Sequence, residues 1–409
     1  MFATLIPLFD DEMAVGAFSL FAQKDNYLLK PNLLGTGSFD GAGHIDGLEV
    51  IENTGIDTLA ADKDVFVPMN AVSLFVDIAS QCSAPASRIV ILLDNSVKPE
   101  EMFIKRIDEL ISQGYRFAIR KLLVSDFENY REIIKRLDYI FLDYKRIDIS
   151  KGKIYFSKLY PKIRLVALNI ESMDVYDKLK AEGGYCLYEG AFYRLPVKKG
   201  STGEVAPVKM TYIELLNIVN DEDYDLTKAA DIIGRDTALV VSLLRMVNKM
   251  TVNNGITTIK HATAMLGQKE LKKWINTAVA EKLCEDRPSE ITRISLIRAK
   301  FAENRAPLFD MGGLSQELFL MGLFSVLDLI LDKPMSEALN MVKVSKQIEA
   351  ALLKNEGDFG LVLDFIKNYE AANWSEISRL MIVEDLDMDE VYNKYLDTLK
   401  WFRDLYNQD

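Results

Sequence analysis

Two basic pairs are the residues of this chain best suited by type and spacing to bind a phosphate. Arg120-Lys121 and Lys145-Arg146 each follow a short apolar run, and guanidinium and ammonium groups are the side chains that bind phosphate oxygens. If the two runs end at one edge of a sheet, the pairs lie near each other. The alternative is ordinary salt bridging, for which carboxylates are available at Asp143, Glu171 and Asp148.

Cysteine and histidine are too scarce for most metal or disulfide chemistry. The three cysteines, Cys82, Cys186 and Cys284, lie about a hundred residues apart and form no CxxC pair. This usage excludes a disulfide framework and a zinc knuckle. The only histidines are His44 and His261, which excludes most sites built from several histidines.

Length and charge narrow the class of protein. The chain has 409 residues, which favours two domains, and its 61 acidic and 49 basic residues give a net charge of −12. An acidic balance argues against a nucleic-acid partner, because phosphate recognition relies on clustered Lys and Arg. The start lacks a basic signal-peptide region, and the longest apolar stretch, residues 318–331, is too short to span a membrane. We therefore expect a soluble, cytoplasmic protein.

The first two hundred residues predict parallel strands joined by helices. Apolar runs of β type begin at residues 65, 89, 117, 139, 164 and 185, at spacings of 24, 28, 22, 25 and 21 residues. Each spacing accommodates one strand, one helix and two loops. With an opening strand at residues 4–9 there are seven strands, and an eighth is expected between Leu28 and Leu48. This pattern favours a (β/α)8-type barrel over an open doubly wound sheet.

The second half has a different character. Residues 196–207 are rich in Gly, Pro and Lys and are typical of a linker. Beyond them the β-type runs stop, and apolar residues recur at helical spacing. The sequence thus predicts an α/β barrel over residues 1–200 and an all-helical domain over residues 208–409.

Several motifs of the first half resemble the EAL family of cyclic di-GMP phosphodiesterases. They occur in order along residues 1–197: IPLFD at 6–10, VGAFSLF at 15–21, GYRFAI at 114–119, LDYI at 137–140 with Asp143, VA at 166–167 with Glu171, and EGAF at 189–192 before Pro196. The resemblance implies a barrel fold and a site at the ends of its strands.

The second half resembles the HDOD domain, a helical relative of the HD hydrolases. The resemblance is strongest over residues 226–267, which include Leu243-Leu244-Arg245, Val247-Asn248 and Leu266-Gly267. EAL followed by HDOD is similar to a class of bacterial two-domain signalling proteins.

The EAL resemblance implies acidic ligands for two divalent metals, and this chain departs from that pattern. The signature glutamate falls at Phe18, the paired aspartates fall at Arg120 and Lys121, and a further glutamate falls at Asn169. Only three carboxylates remain nearby, at Asp143, Glu171 and Glu189. With the two cations, they form the candidate barrel-mouth pocket: Arg120, Lys121, Asp143, Glu171 and Glu189.

The metal-binding residues of the HD hydrolases are also missing, because Ser325-Val326 stands where the resemblance implies a His-Asp pair. These departures predict a protein that is not an enzyme, uses no cofactor or metal, and acts by binding regulatory protein partners. A homodimer is expected from the family alone, and neither nucleic acid nor membrane is an expected partner. The alternatives are a sensor that binds cyclic di-GMP without hydrolysis, and an active cyclic di-GMP phosphodiesterase.

Overall fold

A computed structural model describes residues 1–24, 44–197, 205–221, 224–250 and 255–406. Its first half contains eight strands in a closed barrel, in the order in which they occur along the chain. The strands are β1 (Phe2–Phe9), β2 (Val15–Gln23), β3 (Asp64–Met69), β4 (Ile89–Leu93), β5 (Arg116–Ile119), β6 (Tyr139–Asp143), β7 (Arg164–Ile170) and β8 (Leu187–Gly190).

The strands from β2 to β8 run parallel, whereas β1 is antiparallel to both of its neighbours. The predicted barrel is therefore confirmed, with one strand reversed. The strand that completes the eight is β2, at Val15–Gln23. Most of the segment in which an eighth strand is expected, residues 28–43 of 28–48, lies outside the described part of the chain, and helix α1 begins at Asp46.

The helices of the barrel half are α1 (Asp46–Thr54), α2 (Ile56–Ala60), α3 (Glu101–Ser112), α4 (Arg131–Ile134), α5 (Ile149–Leu159) and α6 (Met173–Glu182). Strand β4 is buried along its whole length, because parallel strands in a barrel are covered on both faces. Helix α3 buries Phe103, Ile107 and Leu110, which recur at helical spacing, and Gly114 follows its end at a φ of 93°.

Every regular element described beyond residue 205 is a helix. Its helices are α7 (Pro207–Val219), α8 (Leu226–Ile233), α9 (Thr237–Met250), α10 (Ile259–Leu283), α11 (Ser289–Arg305), α12 (Ser315–Phe324), α13 (Leu327–Leu331), α14 (Met335–Leu339), α15 (Lys346–Lys354), α16 (Gly357–Glu370), α17 (Trp374–Val383) and α18 (Met388–Tyr406). Helix α10 is interrupted at Gly267, which has a φ of 71°. Among the described helices, none combines the length and apolar composition needed to cross a bilayer.

The chain divides into two compact units, and the division differs from the predicted one. One unit comprises Met1–Leu195 together with Phe365–Asp409, and the other comprises Pro196–Asp364. The sequence pattern predicts a single helical domain over residues 208–409. Helical periodicity shows that a helix has an apolar face, but it does not show which partner that face packs against.

Aromatic side chains explain why the last helices pack with the barrel. The ring of Trp374 stacks on that of Phe2 at a centroid distance of 5.3 Å. The backbone N–H of Ala3 donates to the hydroxyl of Tyr369 at 3.3 Å, and the hydroxyl oxygens of Thr4 and Tyr395 are 3.5 Å apart. Strand β1 pairs with β8 at one residue only, so these helices cover a strand edge that the sheet leaves open.

Candidate functional site

The carboxyl ends of the parallel strands form one opening of the barrel, which we call the mouth. Buried residues from these strands fill the barrel below it, among them Ala17, Ala118, Phe141 and Leu187. Side chains two positions further along a strand lie on the same face. This alternation places four polar residues on the inward face, each two positions beyond a core residue and nearer the mouth, and we call this set the layer: Ser19, Arg120, Asp143 and Glu189.

Arg120 brings a positive charge into this layer. Its guanidinium carbon lies 5.0 Å from the centroid of the Phe21 ring, and its Nε is buried with no hydrogen-bond partner. Burial lowers the pKa of Arg120, while the charges of Glu189 and Asp94 act in the opposite direction. Arg120 is therefore a desolvated cation that retains an unused donor.

Glu189 is the matching acidic group. Burial raises the pKa of its carboxyl to about 7; the charge of Arg120 opposes this shift, and that of Asp143 adds to it. Arg120 and Glu189 interact through their charges, and no salt bridge joins them. A carboxyl with a pKa near neutrality exchanges its proton readily at physiological pH.

Ser19, and not Phe18, is the residue of β2 that faces the mouth. Ala17 and its cross-strand partner Leu8 both belong to the core inside the barrel, so Phe18 and its partner Pro7 face outward. Ser19 is fully buried, and its Oγ has no hydrogen-bond partner. The residue type at Phe18, used above as a sign of a lost metal ligand, therefore carries no information about the mouth.

The backbone is strained at the same end of the barrel. Strand β7 has an irregularity between Ala167 and Ile170, where Asn169 adopts a φ of 59°. Lys121, directly after Arg120, has a φ of 67°. A Cβ on Gly190 would lie 2.1 Å from the backbone oxygen of Ile170, so only glycine fits there. Bulges and left-handed non-glycine residues cluster at functional sites, where they redirect side chains.

Two of the five predicted pocket residues form surface ion pairs away from this layer. The Nζ of Lys121 lies 3.8 Å from a carboxylate oxygen of Asp94, and Glu171 is 2.6 Å from Lys145. The pairing with Glu171 also raises the pKa of Lys145. The structure thus brings together Arg120, Asp143 and Glu189 and adds Ser19. Strand alternation is the signal in the sequence that identifies Ser19.

The residues present do not fit a divalent metal. Within the described ranges, no three His, Cys, Asp or Glu side chains are close enough together to hold an ion. At the mouth, Arg120 contributes a cation where the resemblance implies an anionic ligand, and like charges repel. In the helical half, Ser325 donates to the carbonyl of Gly322, and Val326 is buried. We therefore derive no chemical step through a metal.

The protein combines an eight-stranded barrel with an HDOD domain. Residues 205–358 match the family model described as "HDOD domain", which confirms the predicted domain type of the helical half.

Two relatives match most of the chain. "Cyclic di-GMP phosphodiesterase CdgJ" of Vibrio cholerae is 24% identical over 330 residues, covering 78% of this chain and 74% of the relative. "Uncharacterized protein YuxH" of Bacillus subtilis is 26% identical over 362 residues, covering 86% of this chain and 87% of the relative. Among solved structures, a standalone EAL protein from Vibrio cholerae O395 with bound c-di-GMP is 15% identical, with a TM-score of 0.35 over 47% of this chain and 90% of that one.

The prediction that this chain is not an enzyme is wrong by this comparison, because a relative that matches 78% of it is named for an enzymatic activity. One of the substitutions on which the prediction relied lies at Phe18, outside the mouth. The others concern one arrangement of metal ligands and do not address other chemistry.

Proposed function

We propose that this chain is a cyclic di-GMP signalling protein and that the dinucleotide binds at the mouth of the barrel. The observation that carries the proposal is the layer formed by Ser19, Arg120 and Glu189, in which the Ser19 Oγ and the Arg120 Nε are buried without partners. Buried polar atoms are almost always hydrogen-bonded, so a polar ligand accounts for both. In (β/α)8 barrels, ligands bind at the carboxyl ends of the strands.

The chemistry of the layer suits a phosphodiester. A desolvated guanidinium is a strong donor to phosphate oxygens, because the charge-assisted bond does not compete with water. The Phe21 ring beside Arg120 offers an aromatic surface of the kind on which nucleobases stack. The name of the relative CdgJ supports the choice of cyclic di-GMP over other phosphodiesters.

Hydrolysis of the bound dinucleotide is a second candidate function, favoured by that same name. Water would attack one phosphorus and break one ester bond, and the product is the linear dinucleotide. Glu189 is suited to accept the proton of the attacking water, since its pKa is about 7. Arg120 is suited to stabilise the charge that develops on the phosphoryl oxygens.

Calorimetric titration of the full chain with cyclic di-GMP tests the first proposal. We expect saturable binding of one dinucleotide per chain. Replacing Ser19 with Val removes a buried hydroxyl and should weaken binding about 3- to 10-fold, the effect of losing one hydrogen bond. The control Lys145→Ala removes an exposed charge that pairs with Glu171, and it should leave the affinity within about twofold. Absence of binding at millimolar ligand would refute the proposal.

Chromatography of the titrated mixture tests the second candidate. A linear dinucleotide that accumulates with the wild-type chain and not with Glu189→Gln supports hydrolysis through Glu189. Equal rates with both chains would remove Glu189 from that role. The regulatory partners and the homodimer remain predictions, and light scattering of the purified chain tests the homodimer.

A further inference from the structure

We infer that Arg120 binds the phosphodiester of the ligand in the place of a divalent metal ion, so that the dinucleotide binds to this barrel without metal. This inference rests on the proposed function and specifies how the same site recognises its ligand. It begins from the disagreement between the metals that the EAL resemblance implies and the residues that the mouth presents.

The backbone holds Arg120 at the end of a barrel strand. It follows β5 directly, and its backbone N–H donates to the carbonyl of Leu93 at 3.0 Å, which continues the pairing of β5 with β4. The base of the side chain is thereby fixed at the strand end. Ala118, two residues earlier, belongs to the core inside the barrel, so Arg120 extends over that core at the mouth.

The guanidinium of Arg120 has a hydrogen-bond donor that no protein group uses. Its neighbour on one side is the Phe21 ring, at 5.0 Å, and its Nε is buried without a partner. The nearby acidic groups, Glu189 and Asp94, influence it through charge alone, and Asp94 is 3.8 Å from Lys121. An arginine whose charge is desolvated and whose donors are not all used is poised to accept an anion.

The charge of the mouth at Arg120 suits an anion better than a metal cation. A divalent ion placed in this layer would meet the positive charge of Arg120, and the described side chains offer no cluster of three ligands. A phosphodiester carries one negative charge, which a single guanidinium neutralises through two parallel N–H···O bonds. The residues of the mouth therefore match the ligand itself and not a metal that would bridge to it.

Titration of the full chain with cyclic di-GMP in EDTA, in Mg²⁺ and in Mn²⁺ tests the inference. We expect dissociation constants that agree within about twofold in the three buffers, because no metal takes part in binding. Binding that appears only when a divalent ion is added would overturn the inference and leave the proposed function intact. Absence of binding in all three buffers would overturn both.

Variants of Arg120 provide a second test of the inference. Arg120→Met keeps an unbranched apolar stem at this position and removes the guanidinium with its charge and donors. We expect it to weaken binding about 10- to 100-fold, the usual effect of losing a charged hydrogen bond. Arg120→Lys keeps the charge without the paired donors and should bind with intermediate affinity.

The matched control is Lys121→Ala, the neighbouring cation, which is 46% exposed and pairs with Asp94. It should bind as the wild-type chain does. Equal affinities for Arg120→Met and wild type would overturn the inference, as would an equal loss in Lys121→Ala, since that result indicates a diffuse charge effect. Circular dichroism of each variant verifies that the comparison is made between folded proteins.

Discussion

Replacing Glu189 with Gln should stabilise this protein at alkaline pH and leave its stability at acidic pH unchanged. Glutamine has nearly the same shape as glutamate but does not ionise. Burial raises the pKa of Glu189 from 4.5 to about 7, so ionisation is harder in the folded than in the unfolded chain. At 1.36 kcal/mol per pKa unit, this difference costs the folded state about 3 kcal/mol once the carboxyl is fully ionised.

The direction of this pH dependence follows because the pKa of Glu189 is lower in the unfolded chain than in the folded chain. Below pH 4.5 the carboxyl is protonated in both states, and its ionisation contributes nothing to stability. Between pH 4.5 and about 7 only the unfolded chain ionises, so the wild-type protein loses stability as pH rises. Above pH 7 both states are ionised and the loss is complete. Glu189→Gln avoids this loss.

Thermal unfolding of both chains between pH 5 and pH 8.5 measures the effect. A difference of about 3 kcal/mol corresponds to roughly 6–12 °C in melting temperature for a unit of this size. Glu171→Gln is the control, because Glu171 is 61% exposed and pairs with Lys145 on the surface. It should change the free energy of unfolding by less than about 1 kcal/mol at any pH. A parallel pH dependence in wild type and Glu189→Gln would refute the reasoning.

Cyclic di-GMP should bind more weakly as pH rises from 6 to 8, because ionised Glu189 repels the phosphodiester. The affinity should fall by at most tenfold per pH unit. Calorimetry at pH 6 and pH 8 should find this fall in affinity in the wild-type chain and not in Glu189→Gln. Gly190→Ala should lower the melting temperature strongly, since its Cβ would lie 2.1 Å from the Ile170 oxygen, whereas Gly312→Ala, with open space around it, should be neutral. Tyr369→Phe should lower the free energy of unfolding in urea by about 1–3 kcal/mol, because the backbone N–H of Ala3 in β1 loses its acceptor. An unchanged urea midpoint would show that water replaces the hydroxyl.

The spacing of apolar runs was sufficient to predict most of the barrel. Seven strands lie where the sequence placed them, because β/α repeats of regular length leave a regular pattern. Strand β2 escaped this pattern because it follows β1 after a five-residue connection and pairs with it in antiparallel orientation. A search for strand–helix–strand spacing does not register a hairpin.

The candidate site was harder to predict than the fold. Sequence order does not show which of the adjacent residues Phe18 and Ser19 faces the mouth. The pairing of Ala17 with Leu8, both in the barrel core, shows that it is Ser19. Likewise, Arg120 and Lys121 are adjacent in the sequence. The first lies over the barrel core, and the second extends to the surface.

The return of the last helices to the barrel unit has a consequence for the synthesis of this protein. Tyr369, which accepts the hydrogen bond from Ala3, is translated 366 residues after it. At 5–20 residues per second, a ribosome needs roughly 20–70 s to cover that distance. During this interval the open edge of β1 and the face of Phe2 lack the side chains that later cover them. The nascent chain therefore presents an unprotected strand edge, so we expect chaperone dependence to be greatest before Trp374 emerges.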